Sequence, residues 1–389
     1  LTEEVLLDAD KNNFLLSISA IKGNIGLSWM DISTGELYTE LCSKQNFITS
    51  ISRVRPREIL VIGNKLTEEN NYAEILKNTF DCVITPLVET ISSRIKAEKL
   101  ICFHFAVKSL ESFGSFTENE ILSCWALLDY VSITQKGNLP PIRFPQTIKN
   151  NSTMQIDNST RKSLEINQTL SGNKKGSLID SVDFTLTAVG ARQLDKDISA
   201  PLTRASDIND RLDLIEFLVS SNAIRRSIRK ILKSAADIDR AKARIVLSRG
   251  GPRDLQSIQL GIEAAHNLAI ILDNIKFKKI PKIFTQIINH LNKCFSLLNL
   301  LKQILSDNPP LFTKDGGFIK QGYSLELDKI ISFRDESRQH IINMEAEERK
   351  KTGLNTLKIK FNNVIGHFFE VTELQKNKFL QMPKPALNR

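Results

Sequence analysis

Phe14, Leu16 and Ile18 alternate with other residues, the two-residue period of a strand. A turn at Lys22-Gly23-Asn24 leads to a second strand from Ile25 to Ile32, and Ser33-Thr34-Gly35 turns into a third from Glu36 to Leu41. Three strands joined by short glycine-bearing turns predict a meander. The period then changes. Phe47, Ile48 and Ile51 suit a short helix broken at Arg55-Pro56-Arg57, and Ile59 to Ile62 is a buried-type strand. Thr67 to Asn78 reads as a helix with Thr67 as N-cap, and Cys82-Val83-Ile84 as one more strand. Antiparallel strands followed by α–β alternation give a small mixed sheet with helices.

Beyond residue 115 the strand pattern gives way to helices. Glu118 to Thr134 is expected to be helical, and Leu139-Pro140-Pro141 with Pro145 marks a joint. Ile208, Leu212, Ile215 and Leu218 step by three and four, as do Leu255, Ile258, Ile262, Ala265, Leu268 and Leu272. Phe284, Ile287, Ile288, Leu291, Phe295, Leu298, Leu301 and Leu305 continue the theme. Each set is one apolar helix face, and together they predict a helical body of bundle type from about residue 160 to 305.

The C-terminal part differs again. Asp307-Asn308-Pro309-Pro310 ends the bundle, Asp315-Gly316-Gly317 is a turn, and a helix pattern runs from Leu325 to Lys351. Its middle, Arg334 to His340, is polar all round, so it stands in solvent or bridges two bodies. Thr352-Gly353 stops it. Leu357 to Phe361 then alternates as a strand, with Phe368 to Val371 as its partner. A long helical arm carrying a small β tip is expected.

Composition narrows the function classes. A chain of 389 residues exceeds one ordinary domain. Its 25% charged and 41% hydrophobic residues are the mix of a soluble globular protein. No apolar run approaches the roughly 18–20 residues that a bilayer span needs. No secretory signal pattern is visible at the start, and a chain opening at Leu1 rather than Met is expected to be a piece of something longer. Cys42, Cys82, Cys102, Cys124 and Cys294 are scattered without metal-ligand spacing, which predicts reduced thiols. His104, His266, His290, His340 and His367 form no i, i+4 pair with a Glu, which excludes a zincin-type site.

Two motifs point to chemistry, neither strongly. Gly172-Asn173-Lys174-Lys175-Gly176-Ser177 has phosphate-loop letters but the wrong spacing, since Gly176 and not Lys precedes Ser177; a solvated loop is expected. Asp31 ends a central strand, where ribonuclease-H-like nucleases place an Asp to hold Mg²⁺. Glu36, Glu40 and Asp81 are its candidate companions, and an Asp that merely closes a turn is the competing reading.

Lys plus Arg number 53 against 44 acids, a net +9 that favours polyanionic partners. One basic cluster spans Arg225, Arg226, Arg229, Lys230, Lys233, Arg240, Lys242, Arg244, Arg249 and Arg253. With Ile224, Ile228, Ile231 and Leu232 on one side, it reads as a solvated helix face. The second cluster coincides with the β tip: Arg349, Lys350, Lys351, Lys358, Lys360, Lys376, Lys378, Lys384 and Arg389. Alternation puts Lys358 and Lys360 on one strand face, opposite Leu357, Ile359 and Phe361. A projecting tip with one basic face suits contact with phosphate.

At this point the sequence resembles a known family. "ERKKTGLNTLKIKFNNVIGHFFEVT" is similar to the clamp signature of the MutS family of DNA mismatch-repair proteins. "DGGFIKQGYSLELDKI" resembles the family's approach to the clamp. "TRKSLEINQTLSG", "SLIDSVDFTLTAVGARQLDKDISAPL", "RLDLIEFL" and "DIDRAKARIVLSRGGPRDLQSI" resemble its helical core. "WMDISTGELYTE" with "RVRPREILV" resembles its connector domain. The order agrees along essentially the whole chain. Asp197 departs from the family's usual aromatic, and His367 from its usual Tyr. The letters Phe368-Phe369-Glu370 match the family's Phe-x-Glu mismatch-reading motif but sit in the clamp strand, so they are not that reader.

The resemblance implies a multidomain α/β plus all-α fold. Residues 1–115 would be a ribonuclease-H-like connector without nuclease function. Residues 116–327 would form the helical core with its lever helices and linking helix, and 328–389 a truncated β clamp. It implies an internal piece, with the mismatch-reading domain and the ATPase domain outside these residues. The piece is therefore expected to be no enzyme, to hold no cofactor (ATP and Mg²⁺ belong to the full-length family) and to act in DNA mismatch repair. Lys350, Lys351, Lys358, Lys360, Lys376 and Lys378 are the expected contacts to the duplex backbone. A MutL-type partner would dock on the connector, through candidates such as Tyr38, Arg55 and Arg57. The full-length family is a homodimer, cytoplasmic and nucleoid-associated, with no membrane contact. A Mg²⁺ nuclease built on Asp31 and a stand-alone helical interaction scaffold are the alternatives.

Overall fold

Strand β1 (Phe14–Ile21) pairs antiparallel with β2 (Asn24–Asp31) from Phe14↔Asp31 to Ile21↔Asn24, and β3 (Leu37–Ser43) completes the expected meander. β4 (Glu58–Ile62) and β5 (Val83–Leu87) add in parallel beyond β1. A two-residue strand, β6 (Gln146–Thr147), adds in parallel beyond β3. The sheet order is β5-β4-β1-β2-β3-β6. The structure is a computed structural model that describes residues 8–21, 23–62, 72–87, 93–137, 139–149, 152–274, 281–291 and 293–375. The N-cap expected at Thr67 lies outside them; the helix there is described over Tyr72–Thr79.

Both faces of the sheet are covered, which is why Ile59, Leu60 and Val61 form an unbroken apolar run. On one face Leu16, Ile18, Leu27 and Trp29 pack with Phe47, Ile51 and Val54 of α1 (Phe47–Val54) and with Leu76 of α2 (Tyr72–Thr79). On the other, Leu15, Met30, Leu37 and Leu60 meet α3 (Arg94–His104) and α4 (Glu118–Thr134) through Ala97, Ile101, Ile121, Leu127 and Val131. Here the sheet is floored with small residues. The hydroxyls of Ser28 and Ser123 are 2.7 Å apart, and a Cβ on Gly26 would stand 2.3 Å from the carbonyl carbon of Asn119. Helix α4 thus rests almost directly on strand backbone. Thr117 caps it: its hydroxyl accepts from Glu120 N–H, and Glu120 accepts from Thr117 N–H at 2.9 Å.

The α/β layer therefore extends past the boundary expected at residue 115. Helix α4, grouped by periodicity with the helical body, packs on β1 and β2, and β6 widens the sheet. Periodicity identifies an apolar helix face but not the surface that it covers.

The helical body follows: α5 (Asn158–Ser163), α6 (Leu178–Val182), α7 (Ala188–Ser199), α8 (Ala205–Ser220), α9 (Asn222–Leu232), α10 (Ile238–Val246), α11 (Pro252–Asp273), α12 (Lys282–Leu291) and α13 (Phe295–Ile304). Phe217, Leu272 and Phe284 centre a small core with Ile224, Ile228 and Ile288 around it. Asp197, which replaces an aromatic of the resembled family, leaves no buried charge. It pairs with Arg211 at 3.2 Å and accepts from Gln193 at 3.0 Å at the surface.

The chain divides into two units, Leu1–Phe318 and Ile319–Arg389. The second unit holds α14 (Leu325–Thr352), the expected long helix. Ser324 caps its start and Gly353, at φ 65°, its end, donating to Arg349 O at 2.9 Å. None of its residues is buried within the unit. It leads into an antiparallel hairpin, β7 (Lys358–Asn362) and β8 (Gly366–Glu370).

Candidate nucleic-acid interface

The register of the hairpin decides which side chains share a face. Lys358 faces Glu370 and Lys360 faces Phe368, while Ile359 faces Phe369 and Phe361 faces His367. Lys358 and Lys360 do lie on one face, as alternation predicts, but Glu370 and Phe368 share it. The Lys360 ammonium is 2.6 Å from the Glu370 carboxylate. On the opposite face Phe361 and His367 rings stand 5.0 Å apart, and Phe361 stays largely exposed rather than packed.

The hairpin is anchored to the end of α14. Glu345 accepts from Arg349 at 2.5 Å and from the backbone N–H of Ile359 at 2.8 Å, and Arg349 Nε donates to Leu357 O at 2.7 Å. Leu354 and Leu357 are buried beneath this knot. Arg349 is thus a structural brace. The i, i+4 spacing of Glu345 and Arg349 is legible in sequence; the bond to Ile359 is not.

The six expected backbone contacts separate into three groups. Lys350 and Lys358 are exposed, and no carboxylate among the described residues pairs with them. Lys351 and Lys360 are exposed but paired, Lys351 with Glu348 at 3.1 Å and Glu347 at 3.8 Å. Those carboxylates raise the Lys351 pKa and hold it charged. Lys376 and Lys378 lie outside the described residues.

The other basic cluster divides: Arg226, Arg229 and Lys230 on α9 and Lys233 at its C-cap are exposed, as expected of a solvated face, whereas the arginines after Asp237 are engaged. Arg240 donates to Ser33 Oγ at 3.2 Å, Asp8 O at 3.2 Å and Lys11 O at 2.6 Å. Arg244 pairs with Asp254, Arg249 donates to Gln135 at 2.9 Å, and Arg253 to Pro309 O at 3.3 Å. Arg240 and Arg249, together with Arg143–Asp239 at 2.7 Å, the Lys196–Glu36 pair and the Arg192 bond to Ala9 O at 2.9 Å, stitch the α/β layer to the helical body, while Arg244 and Arg253 brace the body itself.

The nuclease constellation does not assemble. Asp31 is fully buried and accepts from Ser33 N–H at 2.8 Å, Ser33 Oγ at 2.6 Å and Asn13 N–H at 3.3 Å, so it closes the turn. Glu36 is held by Lys196, and Glu40 by Arg53 at 2.5 Å and Ser50 at 3.1 Å. No group of three or more potential metal ligands gathers among the described residues. No helix among them is long and apolar enough to cross a membrane. Of the candidates for partner contact, Tyr38 packs beside Trp29 and donates to Glu36 at 3.3 Å, while Arg55 pairs with Asp195. Arg57 is exposed.

Residues 13–143 match the family description MutS domain II, and residues 159–371 match MutS domain III. The chain belongs to the MutS family. It is 39% identical to the DNA mismatch repair protein MutS of Cereibacter sphaeroides over 98% of its own length and 42% of the relative's. It is 37% identical to that of Roseobacter denitrificans over 98% of this chain and 43% of the relative, and 37% identical to that of Bartonella quintana over 99% and 42%. The chain thus spans less than half the length of these MutS relatives. The MutS domain II match covers the sheet with α4 and ends just short of β6, and the MutS domain III match runs from α5 through β8.

Proposed function

We propose that this chain supplies the connector, the helical core with its lever helices and part of the clamp of a mismatch-recognition protein, and that its hairpin grips duplex DNA by the backbone without reading sequence. The carrying observation is the pair Lys350 and Lys358, exposed and without a carboxylate partner among the described residues, at the junction of a long solvent-exposed helix and its hairpin. Such ammonium groups bind phosphate as point charges, which position a protein on a duplex but do not specify a base. Lys351 and Lys360 would join only by exchanging their glutamates for phosphate, and Lys376 and Lys378 would extend the contact.

The family membership and the sheet order, with β2 alone antiparallel to its neighbours, support a ribonuclease-H-like connector. Its role would be contact with a MutL-type partner and relay of movement, with Arg57, exposed and without a carboxylate partner among the described residues, as the candidate. The chain itself would hydrolyse neither ATP nor nucleic acid. ATP, Mg²⁺ and the homodimer contact belong in this reading to the full-length protein.

Titration of homoduplex and G·T-mismatched DNA at two salt concentrations tests the reading. Equal, salt-sensitive binding to both is expected. Lys350→Ala with Lys358→Ala should weaken both equally and flatten the slope of log K against log salt by about 0.9 per lost contact. A preference for the mismatch, or no loss in the double variant, would overturn it.

A further inference from the structure

Between helix α7 and the sheet face that packs with α1 lies a cavity of about 150 Å³. Its walls are Phe14, Trp29, Tyr38, Val54, Ile148 and Ala200, and its rim carries Arg53, Arg55, Thr153, Asp195, Lys196 and Ser199. A cavity of about this volume accepts a benzene-sized ring. Nothing in the proposed DNA contact uses it.

Each cation of the rim is matched by a carboxylate, and one further cation stands behind them. Arg53 pairs with Glu40 and donates to Thr153 at 3.3 Å, Arg55 pairs with Asp195, and Lys196 with Glu36. Arg161 stands behind them on α5. It is 6% exposed, bonded to Ser199 O at 2.8 Å and Asn167 at 3.4 Å, with its Nε unpartnered and no carboxylate bound. Burial, with the charges of Arg55 and Arg53, pulls its pKa down to about 10. A buried guanidinium with no ion pair of its own, opposed only at a distance by the Asp195 charge, adds one uncompensated positive charge to the rim and favours an anion there. Arg55 is placed to meet one. It caps α1 in the left-handed region at φ 53°, where glycine is the usual residue, and only one of its terminal nitrogens is engaged by Asp195.

We propose that this cavity binds a small aromatic anion, one ring seated among Phe14, Trp29 and Tyr38 with its carboxylate or phosphate at Arg55 and Lys196. Trp29 lines the site, and Trp125 packs in the cluster on the other side of the sheet. In the full chain carrying Trp125→Phe, Trp29 fluorescence therefore reports occupancy.

Phenylacetate and phenyl phosphate should change that signal saturably in the millimolar range, while neutral benzyl alcohol binds at least about tenfold more weakly, a difference of about 1.4 kcal/mol. Arg55→Gly deletes the cation where the backbone favours glycine, and should weaken the anions without weakening benzyl alcohol. Ala200→Phe should fill the cavity and abolish the response to all three. Equal binding of charged and neutral rings would overturn the anion assignment. Unchanged binding in Ala200→Phe, or no response up to the solubility limit, would overturn the site.

Discussion

The carboxylate of Glu345, near the end of the long helix, accepts the backbone N–H of Ile359, the second residue of the hairpin's first strand, at 2.8 Å. One side chain thus fixes the angle at which the helix delivers its hairpin, and the same carboxylate holds Arg349. A hydrogen bond to a charged group is worth about 1.5–3 kcal/mol. Glu345→Ala should therefore loosen the hairpin before it affects the rest of the chain. Hydrogen exchange should rise at Ile359 while β1 and β2 keep their protection; unchanged exchange at Ile359 would refute the brace.

Gly26→Ala should be among the most destabilising single-methyl changes in the chain. The new Cβ would stand 2.3–2.4 Å from the carbonyl atoms of Asn119, and helix backbone cannot rotate away as a side chain can. Overpacking costs about 1–3 kcal/mol and occasionally more. A fall in denaturation midpoint is expected, with Gly23→Ala, whose Cβ would meet nothing within 4 Å, as the comparison for the positive-φ cost alone. An unchanged midpoint in Gly26→Ala would show that α4 is free to move.

Arg240→Ala should loosen residues 8–11 on the helical body, with the Arg192 bond to Ala9 O at 2.9 Å as the remaining tether. The three Arg240 bonds to Asp8 O, Lys11 O and Ser33 Oγ leave with one side chain. Each is worth about 1 kcal/mol or more. Limited proteolysis should cut earlier before Phe14 in the variant, with little change in the circular dichroism of the body. Arg226→Ala, an exposed change on α9, should cut like the parent.

The cysteines should react in order of their exposure. Burial, helped by Glu40 and Glu120 respectively, pushes the Cys42 and Cys124 thiols up to about 12 from an ordinary 9.0. The folded chain then holds thiol protons that the unfolded chain releases above pH 9. Their contribution to stability is complete below that pH and is lost as pH rises towards 12. At pH 8 a thiol reagent should label exposed Cys294 first and leave Cys42 and Cys124 untouched until the chain unfolds. Early labelling of Cys124 would contradict its burial under α4.

A piece ending at residue 149 should fold where one ending at 115 does not. The shorter piece lacks α4 and β6, and so bares Leu15, Met30, Leu37 and Leu60. Each bared side chain forgoes about 1.5–3 kcal/mol, against a domain stability of only about 5–15 kcal/mol. Cooperative thermal unfolding of the shorter piece would show that α4 is dispensable.

Most elements were legible in the sequence because local patterning controls them. The alternation through Phe14, Leu16 and Ile18, the Gly353 stop and the polar stretch from Arg334 to His340 each encode their own strand, terminus or exposed helix. The order of family motifs was legible too, since it needs no geometry. Contacts between elements remote in the chain were not. Glu118–Thr134 carries an apolar face whether it joins a bundle or a sheet, and only the small floor of Gly26 and Ser28 selects the sheet. Arg240 and Arg244 look like a solvated helix face until Ser33, Lys11 and Asp254 are brought to them. Lys358 and Lys360 share a strand face by alternation alone, and register sets Glu370 opposite Lys358, yet its carboxylate reaches diagonally to Lys360 and leaves Lys358 without an ion pair. Side-chain period is a property of a single strand, whereas charge pairing belongs to the partner strand. The sequence by itself determined which lysines share a face, and the tertiary structure decided which of them is free to meet phosphate.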